Sequence, residues 1–448
     1  MSDSPDIATG RLAPDRIREN FGDLHPPLDR ARALVEANRC YFCYDAPCVE
    51  AYPTGIDIPS FIHKITTGNL RGAAIDILSE NILGGSCARV CPTEILCQRA
   101  CVREAQEGKP VVIGALQRHA TDHLMAEDGH PFTRAAPSGK RVAVVGAGPA
   151  GLACAHRLAM LGHAVALFDA RPKAGGLNEY GIAAYKLADD FARREVEFVL
   201  AIGGIALHPG KALGRDFTLA DLRRDHDAVF LGLGLGGARA LGIEGEEPGG
   251  VVNAVDYIAE LRQADDLTRL PVGRRVIVIG GGNTAIDIAV QSRRLGAEDV
   301  TIVYRRGPAE MSATDHEQDF AQTNGVRIRH WARPVGLIAR DGHVSAVRFE
   351  YTRMDGGRLA GTGETYALPA DMVFKAIGQT FVADPIEDGG HSLLDLEGGR
   401  IVVDENRRSS LADVWAGGDA VADGEDLTVA AVQDGKIAAQ AIDRALRS

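Results

Sequence analysis

The stretch Arg141-Val142-Ala143-Val144-Val145-Gly146-Ala147-Gly148-Pro149-Ala150-Gly151 decides the fold. Four apolar residues in a row, Val142 to Val145, read as a buried strand. Gly146, Gly148 and Gly151 follow in the spacing G-x-G-x-x-G. The first glycine permits a tight turn, the second lets a pyrophosphate approach the backbone, and the third lets a helix pack closely on the strand. The helix entered through Pro149 and Ala150 points free N–H groups and its positive dipole end at that pyrophosphate. A second strand, Ala164 to Phe168, ends in Asp169, 23 positions after Gly146. A carboxylate there accepts hydrogen bonds from ribose hydroxyls. The glycines alone would be weak grounds; strand, loop, helix and acid together predict a dinucleotide site.

Further along, the same strand–turn–helix pattern recurs. Val276 to Ile279 leads into Gly280-Gly281-Gly282-Asn283-Thr284-Ala285, a G-x-G-x-x-A variant. The next strand, Val300 to Val303, ends in Tyr304-Arg305-Arg306 and carries no acid. Two arginines can clamp a 2′-phosphate, so this loop taken alone leans toward NADP(H). Gly175-Gly176-Leu177 follows the first acid, and Trp415-Ala416-Gly417-Gly418-Asp419 lies near the end of the chain. The latter resembles the second FAD motif of two-dinucleotide-domain flavoproteins. That resemblance implies FAD at the first loop, Asp419 on the ribityl chain, and a FAD domain closed by residues 378–448. Ala376-Ile377-Gly378 resembles the segment that returns the chain to the FAD domain beside the nicotinamide. Lys186 and Thr428 complete the candidate cofactor-binding residues. Hydride passes directly from nicotinamide to FAD, so no catalytic side chain is expected. FAD can release electrons singly, as iron–sulfur clusters require.

The cysteines supply the iron–sulfur half of that argument. The chain has eight, and all but Cys154 fall between Cys40 and Cys101. Their order is Cys40-x2-Cys43-x4-Cys48-x3-Tyr52-Pro53, then Cys87-x3-Cys91-Pro92, Cys97 and Cys101. Clustered thiolates with Cys-Pro endings suit [4Fe–4S] centres. Structural zinc takes two closely matched cysteine pairs, which these uneven spacings fit poorly. A helix flanked by the cysteine-bearing loops is predicted from Leu70, Ala73, Ala74, Ile77 and Leu78. Cys154 lies in the helix after the first loop and reads as a small packed side chain. The nicotinamide region has no Cys-x-x-Cys, so an internal thiol relay of the thioredoxin-reductase kind is not expected.

Bulk composition sets the frame. A chain of 448 residues is too long for one core and suggests about two to four domains. A net charge of −12 argues against a nucleic-acid surface. Met1 to Leu12 has no apolar h-region, and no apolar stretch is long enough to span a bilayer, so a cytoplasmic location is expected.

With these motifs in place the chain resembles a known family. Arg39-Cys40-Tyr41-Phe42-Cys43, Pro53-Thr54-Gly55-Ile56-Asp57-Ile58-Pro59-Ser60-Phe61-Ile62, Cys91-Pro92-Thr93 and Ile113-Gly114-Ala115-Leu116-Gln117 resemble the N-terminal half of dihydropyrimidine dehydrogenase. In bacteria that half is a separate small flavoprotein subunit, within the glutamate synthase small-subunit-like flavoproteins. The resemblance covers nearly the whole sequence. It implies an α/β chain: a helical iron–sulfur domain (1–135), a Rossmann-like FAD-binding domain (136–262 and 378–448), and an NAD(P)-binding domain (263–377) that splits it. It implies one cluster on Cys40, Cys43, Cys48 and Cys101, and a second on Cys91, Cys97, Gln117 and a cysteine at position 52. Position 52 is tyrosine here. The second cluster is then absent, or completed by a phenolate or water, or completed by Cys87. The implied activity is transfer from NAD(P)H, with NADH favoured, through FAD and [4Fe–4S] to a large FMN/iron–sulfur subunit in a heterotetramer. That subunit reduces uracil or thymine to the 5,6-dihydro form. Two alternatives stand: a glutamate synthase small subunit, and a non-catalytic assembly module whose cysteines hold a structural metal.

Overall fold

The computed structural model describes residues 6–243 and 247–447. They form two compact units, each assembled from several stretches of chain.

One unit comprises His25–Glu179, Asp189–Gly237 and a C-terminal stretch from Phe381. Its sheet has five parallel strands in the order Val414–Ala416, Ala228–Leu231, Arg141–Val145, Ala164–Asp169, Ile205–Pro209. The strand predicted over 142–145 lies at the centre and is buried along its length. An edge strand contributed from residues 414–416 means that the chain leaves this sheet and returns to it, as a split domain requires. The helices of the cysteine region include Ile58–Thr66, Leu70–Glu80, Gly84–Val90 and Ile113–Met125. The predicted helix at Leu70 is present, with Ala73, Ala74, Ile77 and Leu78 as its buried face. These helices pack against the sheet within the same compact unit. Phe61, Ile62 and Leu116 share one apolar core with Val142, Leu152, Trp415 and Ile442. Polar ties cross the same seam: Lys436 Nζ donates to Thr54 O at 2.7 Å and Glu80 Oε2 at 2.8 Å, and the Ser86 N–H donates to Glu195 Oε1 at 2.9 Å.

The other unit comprises residues 6–24, Tyr180–Ala188 and Ala238–Thr380. Its parallel sheet runs Arg327–Arg329, Asp299–Val303, Arg275–Gly280, Met372–Ala376, Val251–Asn253. A three-stranded antiparallel sheet, Ala332–Arg340, His343–Asp355 and Arg358–Pro369, belongs to the same unit.

These units divide differently from the four segments expected. Residues 6–24 belong with the second sheet: Ile7–Ala8 pairs antiparallel with Val272–Gly273, and Ile17 and Phe21 enter its core. The break expected after 262 falls after Gly237, because Val251–Asn253 adds an edge strand and Tyr257 and Ile258 are buried against Val278 and Phe374. Tyr185 and Lys186 are likewise carried by this unit.

The first unit depends on one close approach. A Cβ on Gly435, in the Thr428–Arg447 helix, would stand 2.1 Å from the Ala150 carbonyl oxygen of the Pro149–Met160 helix. Backbone cannot give way as a side-chain tip can. Gly435→Ala is expected to destabilise this unit by about 1–3 kcal/mol, the cost of overpacking, read as a lower thermal midpoint.

Candidate functional site

At the first glycine-rich loop the reasons for glycine are visible. Gly146 has φ 97°, and a Cβ on it would stand 2.1 Å from Gly232 O. A Cβ on Gly151 would stand 1.8 Å from Gly146 O. Gly148 caps the Pro149–Met160 helix without a side-chain hydrogen bond, and Pro149 fills a first-turn position where a missing N–H costs nothing. The first-turn amides, Ala150 and Gly151 among them, are therefore available to an anion. Gly176 closes over the loop; a Cβ there would meet Gly148 Cα at 2.6 Å. Leu177, next to it, is exposed. Asp169 ends its strand as predicted. Its Oδ2 accepts from the Ala147 N–H at 2.7 Å and its Oδ1 from the Arg171 N–H at 2.8 Å. Burial raises its pKa, and those two amides oppose the rise.

The late glycine motif reaches the same place. A Cβ on Gly418 would lie 3.2 Å from Ala150 Cβ. Gly418 N–H donates to Asp434 Oδ2 at 2.8 Å. Burial, reinforced by Asp426 and opposed by Arg400, lifts Asp419 to about 6. Thr428 begins the 20-residue C-terminal helix and donates to Asn178 Oδ1 at 3.3 Å. Residues more than 250 positions apart thus meet at this loop, whose bare backbone forms a cradle that fits an FAD pyrophosphate.

The second loop is built alike within its own unit. A Cβ on Gly280 would meet Ala376 O at 2.0 Å, which brings Ala376-Ile377-Gly378 to this loop. Gly282 caps the Asn283–Leu295 helix with no side-chain hydrogen bond, leaving the first-turn amides of Asn283, Thr284 and Ala285 free of a side-chain cap. Arg305 is exposed and Arg306 half-buried. Their backbone is pinned: Arg305 O accepts from Thr352 Oγ1 at 2.7 Å and Arg306 O from the Trp331 N–H at 3.1 Å. The loop therefore offers cations where a ribose-binding acid would stand. Lys186 falls in this unit and not with the first loop. Its ammonium is held by Asp287 Oδ1 at 2.8 Å and Glu317 Oε1 at 2.7 Å. Burial works against its charge; the two carboxylates more than offset it and raise its pKa. The sequence reading missed both acids, although Asp287 lies only two positions after Ala285.

Four of the clustered thiols surround one cavity. Cys40, Cys43, Cys48 and Cys101 line it with Ile58, Ile62 and Ile113. Burial raises the Cys40 thiol, with Cys43 and Cys101 adding to the rise. Burial pushes Cys48 up to about 12, with Cys101, Cys40 and Cys43 adding. Loss of the proton is disfavoured at Cys40 and Cys48, and a cationic metal centre is what would displace it. The Phe42 N–H donates to Cys40 Sγ at 3.4 Å, a bond that favours the thiolate. Four soft donors in an apolar cavity fit a [4Fe–4S] centre.

The remaining set is different. Tyr52 is buried, and burial raises its pKa, with Cys87, Cys91 and Cys97 adding to the rise. Cys87 is hydrogen-bonded to Cys91, and the Val429 backbone bonds the Cys91 sulfur. Burial pushes Cys97 up to about 12, with Cys48 and Cys101 adding to the rise. Gln117, which its polar sequence neighbours would place at the surface, is 2% exposed. Cys154 is fully buried, as its sequence context suggested.

Comparison with known proteins gives the same outline. Residues 140–435 match the family model of pyridine nucleotide-disulphide oxidoreductases. Residues 17–129 match that of dihydropyrimidine dehydrogenase domain II, 4Fe-4S cluster. The chain is 33% identical over 428 residues to the NAD-dependent dihydropyrimidine dehydrogenase subunit PreT of Salmonella typhimurium, covering 95% of this chain and 97% of that one. It is 34% identical over 452 residues to the glutamate synthase [NADPH] small chain of Escherichia coli, covering 96% and 95%. Among solved structures, Mycobacterium tuberculosis FprA in complex with NADPH matches with TM-score 0.56 and 20% identity, over 69% of this chain and 85% of that one. Thioredoxin reductase of T. acidophilum matches with TM-score 0.52 and 21% identity, over 69% and 100%. These two show the fold.

The cradle at the first loop makes a direct prediction. Gly151→Ala puts a methyl on the Gly146 carbonyl, so the loop must open. FAD retained per chain after gel filtration, read from flavin absorbance, is expected to fall about ten-fold or more, in line with a loss above about 1.4 kcal/mol.

Proposed function

The chain belongs to the pyridine nucleotide-disulphide oxidoreductase family with an N-terminal 4Fe–4S domain, whose cofactors are FAD, NAD(P)H and a 4Fe–4S cluster, and we propose that it is the electron-input subunit of a dihydropyrimidine dehydrogenase. It oxidises NADH at FAD and passes electrons singly through a [4Fe–4S] centre on Cys40, Cys43, Cys48 and Cys101. A large partner subunit carrying FMN and iron–sulfur centres takes them and reduces uracil or thymine to the 5,6-dihydropyrimidine. The observation that carries this reading is one shared core. The thiol-lined cavity and the cradle of Gly146, Gly148, Gly151 and Gly418 are built on the same set of buried side chains.

In this scheme FAD supplies the conversion of a hydride into single electrons. The protein's own groups bind and orient. The amides of the Pro149–Met160 helix receive the pyrophosphate, Asp169 and Asp419 receive sugar and ribityl hydroxyls, and the second loop with Arg305 and Arg306 presents the nicotinamide nucleotide. Among the described residues no helix is long and apolar enough to cross a membrane.

A second reading, the small subunit of a glutamate synthase, is favoured by one observation: the loop after Asp299–Val303 ends in Arg305-Arg306 and has no acid, which suits the 2′-phosphate of NADPH. Two measurements separate the readings. The chain purified with its large subunit is expected to reduce uracil with NADH, and the chain alone to reduce only a dye. Uracil reduction by the isolated chain, or glutamate formation from glutamine and 2-oxoglutarate by the complex, would sink the first reading. In dye reduction, Arg305→Ala with Arg306→Ala is expected to leave kcat/KM for NADH within about three-fold. The same pair should lower it for NADPH about 10–100-fold, the worth of one charge-assisted hydrogen bond of about 1.5–3 kcal/mol.

A further inference from the structure

The second group of cysteine-region side chains does not make a cage. We propose that Tyr52 plugs this position, so that the chain holds one [4Fe–4S] centre, at Cys40, Cys43, Cys48 and Cys101, and none at Cys91 and Cys97. The inference rests on the iron–sulfur part of the reading above.

Its ground is the way Tyr52 is held. The side chain is 3% exposed and belongs to the apolar core. Its hydroxyl oxygen accepts from Asn81 Nδ2 at 3.0 Å and from Gln117 Nε2 at 3.3 Å. Both amides are fixed in orientation by the backbone. Asn81 Oδ1 accepts from the Leu83 N–H at 3.1 Å, and Gln117 Nε2 also donates to Gly84 O at 2.7 Å. The phenol is therefore locked at its far end as well as at its ring. An aromatic ring with a hydroxyl stands where a cysteine would put a single sulfur, in hydrogen-bond contact with the Gln117 amide.

The neighbours agree. Four cluster ligands must stand apart around a body larger than any of them. Gln117 spends its amide on Gly84 and on Tyr52. The first group shows the contrast, since its four thiols face a common cavity.

The test is iron, acid-labile sulfide and FAD per full-length chain, purified anaerobically, with the electron-spin count of the dithionite-reduced protein. Wild type is expected to hold about four irons per FAD and one reducible spin. Tyr52→Cys is expected to double the iron to about eight and the spins to two, while Tyr52→Phe stays at about four. If Tyr52→Cys fails to fold, wild type and Tyr52→Phe still decide. About eight irons in wild type overturns the proposal. If Tyr52→Phe then falls to half, the phenol is a ligand; if it does not, Cys87 or a water has been recruited. A folded Tyr52→Cys that stays at half the iron also overturns it, since the tyrosine would not be what closes the site. No iron in wild type removes the underlying iron–sulfur reading itself, an outcome distinct from all of these.

Discussion

The contact that most of the first unit depends on is the one between the helices Pro149–Met160 and Thr428–Arg447, which touch backbone to backbone at Gly435 and Ala150. The C-terminal helix packs this close only because position 435 has no side chain. From there its other connections follow. Its first residue, Thr428, reaches Asn178 beside the glycine pair over the loop. Val429 touches the Cys91 sulfur. Lys436 reaches back to Thr54 and Glu80 in the cysteine region. One helix thereby carries the flavin cradle, the closed second thiol group and the helical region on a single frame.

Buried charge fixes what apolar packing leaves loose. Lys186 lies between Asp287 and Glu317, and all three are largely buried. Such a group adds little net stability when complete, but losing the lysine would leave two uncompensated carboxylates, a cost of about 3–5 kcal/mol. It ties Tyr180–Ala188 to the helix of the second loop, although that stretch lies far from the loop in sequence. Glu195 plays the matching part in the other unit. Burial pushes it up to about 7, while the Ser86 side chain and amide hold it down. With an acid raised in the folded state, this group favours folding fully at acidic pH and loses that contribution as pH rises through about 7.

What the sequence made legible was local. Gly146, Gly148, Gly151 and Asp169 announce their roles because a turn, a phosphate approach and a strand end each demand a particular residue at a fixed offset. The helix at Leu70 was legible from its 3.6-residue period. What stayed hidden depends on partners far along the chain. Nothing near Ile7 says that it pairs with Gly273, and nothing near Lys186 names Glu317. The antiparallel strands from Ala332 to Pro369 carry exposed residues on both faces over much of their length, so their alternation is weak. Gln117 shows the limit from the other side. Its neighbours suggest a surface amide, and only the fold reveals that Tyr52 and Gly84 enclose it.

The order of burial bears on direction. The flavin cradle sits on the central strand and its helix, under the C-terminal helix. The thiols of the first group are all only partly buried, and Tyr41, Phe42 and Tyr44 beside them are exposed, Tyr44 fully. Under the reading proposed above, electrons enter at the cradle and leave at this more exposed group, and Tyr52, held by Asn81 and Gln117, adds no second cluster to that route. The substitution then leaves flavin binding and hydride transfer to the residues of the two glycine-rich loops.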